Sequence, residues 1–292
     1  MRYVLRDGNV VGCDDSQDVF LKKLYTTSFG KFLLGILTKP FISNIGGAFM
    51  NSSYSKFLIK PFIRNNLIDM TQYEDREFES YNDFFTRKIK EGKRTIDMDK
   101  SHLISPCDSK LTVYDINEDC VMSIKDTLYS VNSLLRDRKL AKKYHGGKAL
   151  VFRLTVDDYH RYIYIDDGLK SRNRSIEGVY HTVNPVANDM MPIYRENHRE
   201  YTMIRSNNFG DIIQMEVGAL MVGRITNHHE MAKVSRGEEK GYFEFGGSTI
   251  VLLFKKDSVI IDDDIIKNTK NGLETRVLMG DKIGVRGTYG KS

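Results

Sequence analysis

The chain has 292 residues, 40% of them hydrophobic and 28% charged, which is the composition of a folded protein with a real core. Its net charge of +5 is modest but concentrated: between residues 19 and 64 stand Lys22, Lys23, Lys31, Lys39, Lys56, Lys60 and Arg64, with no acidic side chain among them. No helix-turn-helix, zinc-finger or RNA-binding aromatic signature accompanies that charge, which argues against a nucleic-acid partner, and no apolar run approaches the ~20 residues that span a bilayer.

The first residues lack the basic stretch and apolar core of a secretory signal. Cys13, Cys107 and Cys120 cannot all pair within one chain and have no Cys-x-x-Cys spacing, as expected of a reduced, intracellular protein. Over residues 18 to 38, Phe20, Leu21, Leu24, Phe32, Leu33, Ile36 and Leu37 recur at three- and four-residue spacings between lysines. This predicts an amphipathic helix, broken near Gly30 and ended or kinked by Pro40. Further helices are expected over 51 to 60, before Pro61, and over 79 to 90. An apolar face interleaved with lysines and free of acids suits a helix lying in an anionic lipid interface. The same pattern also fits a basic solvent face on a helix packed against its own domain.

From about residue 103 the texture becomes β-rich. Segments 111–114, 149–156, 162–165, 212–222 and 242–254 are rich in β-branched and aromatic residues and are separated by Gly, Asn and Asp. No alternating βαβ rhythm appears, which argues against a doubly wound parallel sheet. The expected fold is α+β. Residues 1–78 form a basic, amphipathic, membrane-associating helical region, and residues 79–292 a mostly antiparallel β catalytic domain.

Within the last predicted strand run, Phe245-Gly246-Gly247-Ser248-Thr249 interrupts the pattern. By itself a glycine pair in a strand reads as a bulge or a strained backbone. Four other phrases precede it: Tyr81-Asn82-Asp83-Phe84-Phe85-Thr86-Arg87, Ser105-Pro106-Cys107-Asp108, Asp158-Tyr159-His160-Arg161 and Glu216-Val217-Gly218-Ala219-Leu220-Met221-Val222-Gly223. In this order, over about residues 80 to 256, the five closely resemble phosphatidylserine decarboxylase proenzymes.

The resemblance implies a definite chemistry. Ser248 attacks the carbonyl of Gly247, the ester breaks by β-elimination, and the new N-terminus becomes a covalent pyruvoyl group. The products are a long chain of residues 1–247 and a short chain of residues 248–292, held together as a heterodimer that can oligomerise further. Two glycines without Cβ let the hydroxyl approach that carbonyl, and the hydroxyl needs a base beside it. The implied substrate is phosphatidylserine at an anionic membrane surface, with the protein peripheral on the cytoplasmic side of the cell membrane and no metal required. His160 is the expected acid/base residue, and Asp108 matches the family aspartate that partners the histidine; an aspartate capping the turn after Pro106 is the alternative. Many members carry a second histidine three positions after the first, where this chain has Ile163. His181 is therefore a reserve candidate for proton transfer.

Other chemistries fit less well. Asp108, His160 and Ser248 also name the parts of a serine hydrolase, but the Gly-x-Ser-x-Gly elbow is absent. His228-His229-Glu230, with His198 upstream, lacks the His-Glu-x-x-His spacing, and neighbours on a strand point to opposite faces, so a polar loop is expected there. Two further alternatives stand: an uncut peripheral lipid-binding protein, and a pyruvoyl enzyme acting on a soluble amino acid.

Overall fold

A computed structural model of the protein describes residues 2–12, 27, 40–117, 119–124, 127–178, 196–218, 224–246 and 248–288. The helix expected over 18–38 lies outside these residues, apart from Thr27. Pro40 begins a helix, α1 (Pro40–Met50), where the N–H it lacks is not needed. The expectation over 51–60 becomes a 3-10 segment, Ser53–Leu58, running into α2 (Ile59–Asn65). Pro61 sits in the first turn of α2, tolerated there for the same reason. The helix expected over 79–90 is only α3 (Tyr81–Phe85), capped by Ser80, whose Oγ accepts from the Asp83 N–H at 3.1 Å. It stops because the following residues are drawn into a bridge between Ile89 and Tyr73.

Nineteen strands lie among the described residues, numbered in chain order. The largest sheet runs β14 (Ala232–Val234), β9 (Gly168–Lys170), β11 (Arg199–Ser206), β12 (Gly210–Gly218), β16 (Ser248–Phe254) and β7 (Lys148–Leu154). It continues through β4 (Ser109–Asp115), β18 (Glu274–Val277), β1 (Arg2–Val4) and β2 (Val10–Gly12), while β10 (Arg174–Ile176) also pairs with β11. Two three-stranded sheets are β13 (Ile225–Asn227), β15 (Glu239–Phe243), β8 (Arg161–Ile163), and β17 (Val259–Ile261), β19 (Lys282–Arg286), β3 (His102–Ile104). A hairpin joins β5 (Val121–Ile124) to β6 (Thr127–Ser130). Among the described residues only β1 with β18 is parallel, so the expected α+β class with a mostly antiparallel sheet is what the chain forms.

Strand alternation divides the core. Ile213, Met215, Val217, Val251 and Leu253 face one cluster, which α4 (Val131–Leu135) and α5 (Arg138–Ala141) close. Ile212, Ile250, Leu252, Phe152 and Leu154 face the other, which Tyr162, Phe243 and Ile225 of the small sheet close together with α6 (Asp263–Lys270). By the same alternation Gln214, Glu216 and Ser248 belong to this second face. Burying five such large side chains against a sheet contributes on the order of 10 kcal/mol before chain entropy is counted.

A third cluster joins the helical region to the site. Tyr81, Phe84 and Phe85 pack with Leu58, Phe62, Ile63 and Phe78, and also with Val156 and Phe245. It therefore spans the boundary expected at 78/79 and reaches the residue before the glycine pair. On the outer side Tyr54, Phe57 and Leu67 are 81%, 68% and 89% exposed, with Lys56, Lys60 and Arg64 exposed among them. No helix among the described residues is long and apolar enough to cross a membrane.

Candidate active site

Ser248 opens β16 and is gripped from both sides, opposite Gly218 of β12 and Leu154 of β7. The predicted strand run over 242–254 breaks before it, between β15 and β16, where Gly246 takes a φ of 141° that only glycine holds without strain. Gly247 lies outside the described residues. The Ser248 hydroxyl is wholly buried and has no hydrogen-bond partner among the described residues. A buried polar group left unmade costs about 1–3 kcal/mol, so such an orphan is uncommon unless it has work to do.

His160 is the second buried orphan. Its Nδ1 lies 2.9 Å from the Asp158 carbonyl oxygen. A carbonyl only accepts, so Nδ1 carries the proton and Nε2 keeps the lone pair. Nε2 has no partner among the described residues. Phe85 lies against the imidazole, ring centroids 4.2 Å apart. Burial, aided by the nearby Arg87 cation, lowers the imidazole pKa from 6.5 to about 3, although the Asp158 carbonyl and Asp157 pull the other way. At neutral pH His160 is thus an uncharged acceptor. Arg87 is itself 1% exposed, packed over the Tyr73 and Phe84 rings at 4.2 and 4.7 Å, with no ion pair among the described residues.

The carbonyl that fixes His160 belongs to a residue that is clamped in turn. The Asp158 carboxylate accepts from Lys110 Nζ at 2.9 and 2.7 Å and from the Thr155 N–H and hydroxyl at 2.7 and 2.8 Å. Thr155 Oγ1 also receives Lys110 Nζ. Lys110 stands in β4 and Asp158 in the turn between β7 and β8, so this buried ion pair ties two of the motif phrases together. Burial raises the Asp158 pKa and the Lys110 charge opposes it.

Asp108 faces elsewhere. Its carboxylate accepts from Arg94 at 2.6 and 3.3 Å and from the Met279 N–H at 2.8 Å. The residue beside its turn is Ile163, whose N–H donates to the Pro106 carbonyl at 2.9 Å. An aliphatic side chain there offers the carboxylate nothing, and Arg94 takes it.

A further cluster of ionisable groups lies on the Ser248 side of the sheet. Glu216 and Lys240 are both 0% exposed and 2.8 Å apart. Lys240 also donates to Asn227 Oδ1 at 2.6 Å, and Asn227 Nδ2 to Glu200 at 2.9 Å. Burial raises the Glu216 pKa and lowers that of Lys240. The His228–His229 pair is engaged outside this cluster, His228 by Glu239 at 2.7 Å and His229 by Glu238 at 3.5 Å.

Of the expected residues, the structure brings His160 to an aromatic cluster that Phe245, three residues before Ser248, also joins: Phe245 stacks edge-on to Phe85 at 5.2 Å, and Phe85 covers His160. No hydrogen bond joins Asp108 to His160. His181 lies outside the described residues. Sequence reasoning gave no role to Lys110, Asp158, Glu216, Lys240 or Arg94. The first three stand in or beside the quoted phrases, and a charged residue at a strand position that should be apolar was the available signal.

Two comparisons bear on this arrangement. The family model described as phosphatidylserine decarboxylase matches residues 81–285. The chain is 51% identical over 265 residues to phosphatidylserine decarboxylase proenzyme 2 of Clostridium acetobutylicum, covering 90% of this chain and 91% of the relative. It is 44% identical over 276 residues to the phosphatidylserine decarboxylase proenzyme of Clostridium tetani, covering 92% of each. With the proenzyme of Ruminiclostridium cellulolyticum the identity is 44% over 270 residues, 90% of each chain.

Proposed function

The chain belongs to the phosphatidylserine decarboxylase family, and we propose that it takes carbon dioxide from phosphatidylserine, leaving phosphatidylethanolamine, after cutting its own backbone between Gly247 and Ser248. As a member of that family it is an enzyme, a carboxy-lyase. The observation that carries the finer reading is the wholly buried, unpartnered Ser248 hydroxyl directly after a glycine pair, at the start of a strand held on both sides.

The residues fit a pyruvoyl group formed from Ser248. The strand pairings keep residue 248 in place once its bond to residue 247 is gone. Residue 248 is wholly buried, and Tyr81, Phe85 and Phe245 pack together just ahead of it in the chain, which keeps water from that end of the strand. When formed, the group supplies an electron-accepting carbonyl next to the bond that loses carbon dioxide. His160 holds a lone pair at Nε2 and can accept the Ser248 proton during self-cleavage; its tautomer is set by the Asp158 carbonyl. Asp108, paired to Arg94, holds the turn on which the Lys110 strand begins. The exposed Tyr54, Phe57 and Leu67, ringed by basic side chains, present the enzyme peripherally to an anionic bilayer, on its cytoplasmic side. The two cleavage chains remain one heterodimer.

The test is the intact mass of the denatured protein, with carbon dioxide release from phosphatidylserine vesicles and from free serine measured in parallel. Two chains are expected, the one beginning at 248 lighter than a serine-initiated peptide by one ammonia, with turnover confined to the lipid. A single uncut chain of 33.6 kDa would overturn the reading.

A further inference from the structure

Decarboxylation consumes a proton. When the bond to the carboxylate breaks, its electron pair stays with the substrate, and a C–H bond must form at the α-carbon before product can leave. His160 is an unsuitable source, because it is held uncharged with its only exchangeable proton committed to the Asp158 carbonyl. Position 163, beside the Asp108 turn, is an isoleucine.

The Ser248 face of the sheet carries a better donor. On β12, Glu216 stands opposite Ile250, and Gly218 opposite Ser248. Glu216 and Ser248 are thus diagonal neighbours on adjacent strands with side chains on the same face, a separation of about 7–8 Å between Cα atoms that a long side chain spans. Glu216 Oε1 and Ser248 Oγ are both buried without hydrogen-bond partners among the described residues. One step further along the same face, Gln214 is also wholly buried with both amide atoms unpartnered. Two side chains without partners among the described residues, Ser248 and Gln214, flank an ion-paired carboxylate with one oxygen left over, and such a row is a place where a polar species is handled, because each unmade hydrogen bond costs about 1–3 kcal/mol.

We propose, building on the decarboxylation reading, that Glu216, reloaded by Lys240, is the acid that delivers the proton to the substrate's α-carbon. The charged and titratable groups that act on Glu216 come from every element around it: Lys240 of β15, Glu200 of β11, Lys170 of β9, Tyr162 and Tyr164 at β8, and Cys107 before β4. Burial works on both members of the pair in the same direction, towards a neutral carboxylic acid beside a neutral amine. In each turnover the Glu216 O–H bond breaks and its proton joins the electron pair on the α-carbon; the Lys240 amine takes up a proton and passes it to the carboxylate so formed, which returns the pair to neutral acid and neutral amine. The proton that Lys240 takes up comes from solvent, on the side where it is bonded through Asn227 to the half-buried Glu200.

The variant to make is Glu216→Gln with Lys240→Met, which removes both ionisable groups together and so leaves neither able to carry an unpaired charge in the core. It is expected to fold and cut itself as the parent does, and to lose about 10²–10⁴-fold in turnover, the usual worth of a placed acid. A misplaced proton gives a second readout. If it enters the chain's own carbon rather than the substrate's, hydrolysis leaves the substrate nitrogen on the protein as an N-terminal alanine and releases an aldehyde. The double variant should accumulate that alanine on its short chain, as a merely destabilised enzyme would not. A third readout needs no cut chain: the uncut Ser248→Ala protein should show an infrared carboxylic-acid band at neutral pH that disappears on adding Glu216→Gln. Parent-like turnover in the double variant, absence of that band, or failure of the double variant to cut itself would each overturn the assignment. If the wild-type chain itself stays whole, the decarboxylation reading fails while the infrared band still decides whether Glu216 holds a proton.

Discussion

The Phe85 and His160 rings lie 4.2 Å apart, tilted by 42°, so α3 forms one wall of the imidazole's site. That wall keeps His160 out of water and uncharged, and folding is therefore linked to pH. The folded state refuses a proton that the unfolded chain accepts near pH 6.5. Stability should be fully present above pH 6.5 and fall by roughly 1.4 kcal/mol per pH unit down towards pH 3, where the folded protein also takes up the proton. Denaturant unfolding of the parent and of His160→Gln at pH 7, 6 and 5 checks this. The difference between them should move with pH in that window, and a constant difference would contradict the assignment.

Ser248→Ala should leave a whole chain that is inactive yet no less stable. The hydroxyl it removes satisfies nothing, so the change is expected to be neutral or stabilising by up to about 1 kcal/mol. Intact mass and urea denaturation test the two halves of this statement. A loss above 2 kcal/mol would mean that the hydroxyl is bonded in the folded protein.

Lys110→Met should cost about 3–5 kcal/mol, because it strands the Asp158 carboxylate in the core. Adding Asp158→Asn should return most of that loss. What the double variant should not recover is the His160 tautomer, since a neutral side chain grips the turn less firmly. Nitrogen NMR of the imidazole reads the Nδ1–H population directly, and an unchanged population with parent-like processing would remove Lys110 from the site's supporting structure.

Replacing Tyr54, Phe57 and Leu67 together by Ser should weaken binding to anionic vesicles without changing the fold. Their side chains touch little of the protein, being 68–89% exposed. Each large apolar group buried in a lipid interface is worth about 1.5–3 kcal/mol at most, and the basic residues around them add a part that salt screens. Vesicle sedimentation at low and high salt separates the contributions. Undiminished binding would place the membrane contact elsewhere.

Much of this architecture was legible in the sequence, for physical reasons that differ from one element to another. β7 and β16 were visible because both strand faces are buried, which leaves near-continuous apolar runs. The glycine-serine turn was visible because a backbone like that of Gly246 admits almost no other residue. The helix that begins at Pro40 was not foreseen, because a proline reads alike at the end of one helix and the start of the next. The partner of Asp108 was hidden because Arg94 comes to it through tertiary packing, which periodicity does not register. Glu216 and Lys240 were hidden likewise: they lie on strands of different sheets, and only the stacking of those sheets makes them a pair.

The position of β16 carries a last consequence. It is the first strand after the glycine-serine turn, yet it lies in the middle of the large sheet between β12 and β7, and β18, also beyond the turn, is wedged between β4 and β1. Severing the backbone at 247/248 would leave the tail threaded through its own parent, so dilution should not separate the pieces. Unfolding would. Refolding an uncut chain is a first-order event, whereas two severed pieces must first meet in solution, with the association entropy that entails. The proposed self-cleavage would thereby make maturation a ratchet: the enzyme would be assembled once, as a single polymer, with a working life set by its unfolding rate rather than by its folding equilibrium.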